Sequence, residues 1–295
     1  NKTKWIHGGV VSGIAGYGNP LGIPNVGGDL YYNDGYNENC LVTLVSLGIV
    51  IEDDIIHSYA PKNADGYDLI LLGKPTDNSG FGGASFASLE LEEEKKEQNK
   101  GAVQEPNAFL ERHLLKSSYA LFDILKEKGL INNVGFKDLG AGGVACARVE
   151  LAETSGYGAE VWMNKIHIGM DGLHPSVYLC SETQERFMWV CSPEITPLIL
   201  DHYNTLFDLP GVSTGARASV VGKIRNDGQY IVHNGNEEIV NATAKEVTEG
   251  FLYDRPYKAR KNNFVEPNLP EPTNYNQVLL DILSHENMAS REPIF

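Results

Sequence analysis

The sequence predicts an α/β fold through its middle, on three observations. Strand-length apolar runs at Tyr67–Gly73, Val134–Phe136, Ala159–Ile168 and Ala218–Ile224 alternate with stretches of helical character. The clearest helix carries Leu110, Leu114, Leu121 and Leu125 at helical spacing. Glycine-rich turns, Gly80–Gly83 and Gly140–Gly143, stand where a strand hands over to the next element.

Composition bounds the rest. A chain of 295 residues, 42% apolar and 21% charged, can bury a sizeable core as one large or two modest domains. A formal net charge of -15 argues against nucleic acid as a partner, because phosphate backbones recruit basic surfaces. A small phosphorylated ligand stays compatible, since its site needs only local donors. Cys40, Cys146, Cys180 and Cys191 form no C-x-x-C pair and, among apolar neighbours, read as buried free thiols, which suits a reducing cytoplasm. The longest apolar run, Leu41–Ile51, is short of the about 20 residues a membrane span needs. The start, Asn1-Lys2-Thr3-Lys4-Trp5, is not a signal peptide.

Taken in order, Trp5–Leu30 reads as a long turn-rich loop, with Gly16-Tyr17-Gly18-Asn19-Pro20 and Gly27-Gly28-Asp29 as turn signals. Asn39–Ile51 then reads as a buried strand. A boundary is expected near Ala60-Pro61, where a polar loop precedes the apolar run Tyr67–Gly73. That run feeds Thr76–Ala84, which either cradles phosphate on backbone N–H groups or merely closes a loop; it lacks the Gly-Lys-Ser/Thr ending of a P-loop. Glu90–Lys100 is a charge run suited to a solvated face.

Asn107 is the expected N-cap of the leucine-striped helix, and Gly129 its terminator. Beyond the strand at Val134–Phe136 comes Lys137-Asp138-Leu139-Gly140-Ala141-Gly142-Gly143-Val144. This is either a purely structural turn or a binding one: its glycines permit close approach of a ligand, and a strand-to-helix turn offers free N–H groups to a phosphate or carboxylate. Asp138 is an oxygen donor of the kind magnesium shares with substrate phosphates. Downstream, Cys180-Ser181-Glu182-Thr183-Gln184-Glu185-Arg186-Phe187 sets a polar burst between apolar Val177–Leu179 and Met188–Val190. Such residues in a buried strand pair are costly unless they bind something or cap and turn the chain.

His167 and His174 read as structural, and no histidine is assigned to catalysis. Pro193–Leu206 reads as a surface helix. Ala218–Ile224 and Tyr230–His233 suggest a hairpin across Asn226-Asp227-Gly228, with Glu237–Val240 as a further strand. From Phe251, four prolines with many Asn and Lys mark a linker, ended by an amphipathic helix at Tyr275–Ser284.

Asp-Leu-Gly-Ala-Gly-Gly-Val followed by Ser-Glu-Thr-Gln-Glu-Arg-Phe resembles the synthetase subunit of phosphoribosylformylglycinamidine synthase. The resemblance runs along nearly the whole chain, through Tyr17-Gly18-Asn19, Gly22–Asp29, Gly80–Phe86 and Val103-Gln104 to Asn287–Arg291. Thr183 stands where the family has serine, Phe187 where it has methionine, and Asp29 where it has glutamate.

The resemblance implies an aminoimidazole ribonucleotide synthetase-like fold. Residues 1–60 would be the latter part of a barrel-forming α+β domain, 61–250 an α/β domain with a mixed sheet, and 251–295 a linker into a second copy of the first domain. It implies an ATP-dependent ligase of purine biosynthesis. ATP phosphorylates the amide of formylglycinamide ribonucleotide, and ammonia from glutamine displaces the phosphate. Asp138 would be a magnesium ligand; Gln104, Glu182, Thr183 and Gln184 would bind the ribonucleotide. A glutaminase subunit and a small bridging subunit would be partners. The segment holding the family's catalytic histidines is absent from this sequence, so the chain is expected to be a fragment that does not turn over substrate alone. A sister enzyme such as aminoimidazole ribonucleotide synthetase, or a non-catalytic nucleotide-binding scaffold, is the rival reading.

Overall fold

The computed structural model describes residues 2–36, 40–82, 103–250 and 253–290. The chain forms two compact units, one from Asn1–Val45 with Leu252–Phe295 and one from Ser46–Phe251.

The first unit begins with helix α1, Lys2–Leu21, where glycine-rich sequence suggests a loop. The glycines hide a helical stripe. Ile6, Val10, Ile14, Tyr17 and Leu21 recur at helical spacing and are among the shielded positions of the element. Cβ atoms added at Gly8, Gly9, Gly13 or Gly16 would meet nothing, so these glycines serve no turn. The strand expected over residues 39–51 is likewise not formed among the described residues. Leu41 is 73% exposed and Leu47 88%, and no strand pairs with them. An apolar run alone does not make a strand; it needs an edge to pair with.

The second unit holds a seven-stranded mixed sheet. Its strands are β1 (Asp68–Gly73), β2 (Val134–Asp138), β3 (Gly158–Trp162), β4 (Arg186–Cys191), β5 (Arg217–Arg225), β6 (Gln229–Asn234) and β7 (Glu237–Thr243), in the order β2-β4-β1-β5-β3-β6-β7. All pairs are antiparallel except β3 with β6. Strand β1 lies inside the sheet and is buried along its whole length, which explains a sequence, Asp-Leu-Ile-Leu-Leu-Gly, without polar alternation. Leu69 and Leu71 face one core, Ile70 and Leu72 the other.

Helix α2, Ala108–Glu127, covers the second face with Leu110, Leu114, Leu121 and Leu125. Asn107 caps it by accepting the Leu110 amide at 3.0 Å, as the sequence suggests. Helix α3, Gly143–Glu153, covers the first face with Val144, Ala147 and Leu151. Phe187 stacks on Phe136 at 5.1 Å, and Phe136 packs on Trp189 at 4.4 Å, so the position of Phe187 is one of packing.

Three expected elements differ. The strand begun at residue 158 stops at Trp162 and gives way to a single 3-10 turn, Met163–Lys165. Residues 177–179 lie in a short helix α4, Pro175–Cys180, for which His174 is the N-cap and Pro175 the first residue. Helix α5, Thr196–Asp201, continues as a π turn over His202–Leu206 and is not a surface element, because Ile195, Ile199 and Tyr203 are buried in the second core.

The expected hairpin also fails, for a steric reason. Strands β5 and β6 are joined across Asn226–Gly228 but do not pair, since β3 inserts between them. Glycine makes room on both sides. A Cβ at Gly158 would lie 2.1 Å from the Gln229 carbonyl oxygen, and one at Gly222 2.4 Å from that of Glu160. The short helices α6 (Leu209–Val212) and α7 (Ala244–Glu249) complete the unit, the latter closed by a Thr243–Glu246 capping box. Residues 253–272 have no regular structure, as the prolines predict, and α8, Tyr275–Ser284, belongs to the first unit.

Candidate functional site

Sheet order brings the two sequence motifs together. Strand β2 ends at Asp138 and pairs with β4, placing Asp138 opposite Phe187. One residue on, the Leu139 amide donates to the Arg186 carbonyl at 3.1 Å. The glycine turn then folds against the chain before β4. A Cβ at Gly143 would sit 2.2 Å from the Ser181 carbonyl oxygen. Gly142, at φ 80, and Gly143, at φ 56, hold the left-handed conformations that open the helix there.

Gln104 and Glu182 meet across the chain. The Gln104 Nε2 donates to Glu182 Oε2 at 2.9 Å. Gly80 packs beneath both, since a Cβ there would lie 2.9 Å from the Glu182 Cβ and 3.1 Å from the Gln104 Cγ. The Gly80 amide in turn donates to the Val103 carbonyl at 3.1 Å. Gln184 folds back on the same stretch, its Nε2 donating to the Glu182 carbonyl at 3.0 Å. Three of the four expected substrate residues therefore share one locality. The remaining part of the glycine loop, from Gly83 to Phe86, and the charge run Glu90–Lys100 lie outside the described residues.

Thr183 is placed differently. It is fully buried, and its hydroxyl is engaged within the protein. It donates to Asp77 Oδ1 at 2.8 Å, accepts from the Asp77 amide at 3.1 Å and lies 2.9 Å from the Ser181 hydroxyl. Ser181 Oγ reaches the carbonyls of Asp77 and Ser79 at 2.7 and 2.9 Å. Burial pushes the Asp77 carboxyl up, but hydrogen bonds from Ser79 and Thr183, with Lys74 nearby, hold it below its ordinary value. Beneath them Arg186, 2% exposed, gives its guanidinium to the carbonyls of Thr183 and Ser181 and to Thr76 Oγ1. Asp77, Ser181 and Arg186 form a framework that sequence reasoning does not identify. The signal lies in Arg186, a charged residue at the mouth of a buried strand.

Asp138 is exposed at a polar cavity of about 200 Å³ shared with Lys137, Cys146 and Glu150. Lys137 pairs with Glu150 at 2.9 Å, and the Cys146 thiol donates to Glu150 at 3.0 Å. Burial and the Glu150 carboxylate push the Cys146 thiol up to about 12, which leaves it protonated and unfit as a nucleophile. His167 is driven to about 3 by burial and bonds to Ser219 and the Gly73 carbonyl, a neutral structural residue. Among the described residues no three His, Cys, Asp or Glu side chains converge as a metal cage. Glu150 being committed to Lys137 and Cys146, Asp138 is the one further carboxylate in this cavity, too few ligands for a self-sufficient protein metal site. No helix among the described residues is long and apolar enough to cross a membrane.

A seven-stranded mixed sheet with helices on both faces and a glycine turn after its edge strand defines an α/β domain. Residues 64–234 match the family of AIR synthase related proteins, C-terminal domain, and the chain belongs to that family. It is 45% identical over 298 residues to the phosphoribosylformylglycinamidine synthase subunit PurL of Methanothrix thermoacetophila, covering 100% of this chain and 38% of that protein. T. maritima PurL complexed with FGAR matches with a TM-score of 0.65 at 28% identity, over 88% of this chain and 40% of that one. The structure of PurLQS from Thermotoga maritima matches with a TM-score of 0.63 at 26% identity, over 88% and 39%. The chain thus spans about two fifths of the length of the proteins it is similar to.

Proposed function

We propose that this chain supplies the ribonucleotide-binding α/β domain of an ATP-dependent amidine-forming ligase of purine biosynthesis. The parent protein would convert formylglycinamide ribonucleotide to formylglycinamidine ribonucleotide, with ammonia delivered from glutamine by a glutaminase subunit and a small bridging subunit. The observation that carries the reading is the clasp of the Asp138 glycine turn against the Ser181–Arg186 segment, through the Leu139–Arg186 and Gly143–Ser181 approaches. Two motifs about forty positions apart thereby meet at one end of the β2–β4 pair. The similarity to T. maritima PurL complexed with FGAR supports the ribonucleotide as ligand.

In this reading the Gln104 and Gln184 amides and the Glu182 carboxylate recognise the ribonucleotide, since each amide offers both a donor and an acceptor. Thr183 contributes by fixing the loop through Asp77. Asp138 would hold magnesium jointly with ATP phosphates. The ion, when bound, supplies electrostatic stabilisation of the transferring phosphoryl group. Residues 1–60 and 251–295 would belong to the flanking barrel-type domains, and 61–250 to the domain that carries the site.

The test is ADP release by the full-length protein that carries this chain, given formylglycinamide ribonucleotide, MgATP and ammonium chloride, beside its Gln184→Ala variant. Substrate-dependent turnover that the variant loses is expected. Turnover indifferent to the variant would move the pocket elsewhere, and no substrate-dependent turnover would overturn the assignment.

A further inference from the structure

Arg148 is fully buried in α3, and none of its three guanidinium nitrogens has a hydrogen-bond partner among the described residues. This is unusual chemistry for a protein interior. A guanidinium carries five N–H donors, and its positive charge is costly to bury unless paired. Tyr230 on β6, 2% exposed, has a hydroxyl that is also without a partner among the described residues. Arg148 and Tyr230 lie close enough for each to influence the ionisation of the other. Burial lowers the guanidinium only to about 10 and raises the phenol to about 12, so at neutral pH one is a cation and the other an intact O–H donor.

The charged neighbours of Arg148 do not neutralise it. Arg148 is felt as a repelling charge both by Arg186 and by His167. Arg186 spends its own guanidinium on neutral oxygens of Thr76, Ser181 and Thr183. Glu150, two residues along α3, is already committed to Lys137 and Cys146. Asp77 offsets the charge of Arg186, but no carboxylate acts on Arg148; its donors, buried without acceptors, describe a receptor for a negative ion.

We propose that Arg148 and Tyr230 form a buried site for one small monovalent anion of chloride type, bound as part of the fold between α3 and the sheet. The ion would neutralise the guanidinium and accept the Tyr230 hydroxyl. Because it binds the folded chain alone, it stabilises that state by mass action. The site is separate in chemistry from the proposed ribonucleotide pocket, which rests on amides and a carboxylate.

Thermal unfolding of the full-length protein in chloride, with gluconate holding ionic strength constant, tests the site. At a hundredfold excess over the dissociation constant, wild type should gain about 5 °C or more in Tm. Arg148→Met should lose this response, and Tyr230→Phe should weaken it. Crystals soaked in bromide should show an anomalous peak within hydrogen-bond distance of the guanidinium, a readout that does not depend on the variants folding. An equal chloride response in Arg148→Met, or a bromide-soaked crystal with only water at Arg148, overturns the proposal.

Discussion

Gln104 and Glu182 stand 78 positions apart, yet the amide of one donates to the carboxylate of the other at 2.9 Å. The bond ties the segment before α2 to the segment before β4. Truncation at this pair therefore removes a strut of the site and, on the proposed function, a ligand contact. For Gln104→Ala we expect KM for the ribonucleotide to rise about tenfold, the scale of one hydrogen bond to a charged group, with kcat changed less. Steady-state kinetics on the full-length protein decide it. An unchanged KM would remove Gln104 from the pocket.

Thr183 separates a structural role from a binding one. Its hydroxyl sits in the buried cluster with Asp77 and Ser181. Thr183→Val keeps the shape but orphans those partners, and should cost about 1–3 kcal/mol in urea unfolding. Thr183→Ser, which restores the hydroxyl, should recover most of that. The Asp77 carboxyl adds a pH signature. Because its folded value lies below the ordinary 3.8, its contribution to stability is present above 3.8 and is lost as pH falls through the folded value. The Val variant should lose part of that acid-side dependence.

What the sequence discloses divides along physical lines. The leucine stripe of α2, its Asn107 cap, the all-apolar β1 and the glycine turn after Asp138 are legible because each is a local pattern with a local cause. The helix at Lys2–Leu21 escapes notice because glycine is read as a turn former, while its stripe of Ile6, Val10, Ile14, Tyr17 and Leu21 is as regular as that of α2. The false hairpin arises because no local signal announces that β3 will enter between β5 and β6; the glycines at 158 and 222 mark it only after the pairing is known. Gln104, Glu182 and Gln184 are reached through the motif, but the burial of the Thr183 hydroxyl depends on where Asp77 lies, which is tertiary information.

Glu111 gives a prediction of opposite sign. Burial, followed by repulsion from Glu185, raises its carboxyl to about 7 from an ordinary 4.5. The folded state thus favours the neutral acid, and ionisation above that range costs stability. The protein should be relatively most stable, as far as this group is concerned, below pH 4.5, and lose stability as pH rises towards and through 7. Glu111→Gln removes the ionisation while keeping the shape. At about pH 8 the variant should exceed wild type by on the order of 1–3 kcal/mol, with the gap closing towards about pH 4.5. Urea midpoints across this pH range suffice, and a gap that does not change with pH would show that Glu111 titrates normally.

Gly143 offers the sharpest test of the clasp between the two motifs. A Cβ there would press against three backbone atoms of the 179–181 segment: the Ser181 oxygen at 2.2 Å, the Leu179 oxygen at 3.0 Å and the Cys180 carbon at 3.1 Å. Backbone cannot swing aside as a side-chain tip can, and φ is +56, where an L side chain is already strained. Gly143→Ala must therefore push the Ser181 segment away from the turn or shift α3, at about 2–4 kcal/mol. Gly140→Ala is the matched control in the same turn, since its Cβ would meet only Asp138 Oδ2 at 3.7 Å, an ordinary contact. Its stability should stay within about 1 kcal/mol of wild type. If the clasp also positions the pocket, Gly143→Ala should lose ribonucleotide-dependent ADP release at a temperature where the variant is still folded by circular dichroism. A folded Gly143→Ala enzyme with wild-type turnover would mean that the two motifs meet in the fold without acting together in the chemistry.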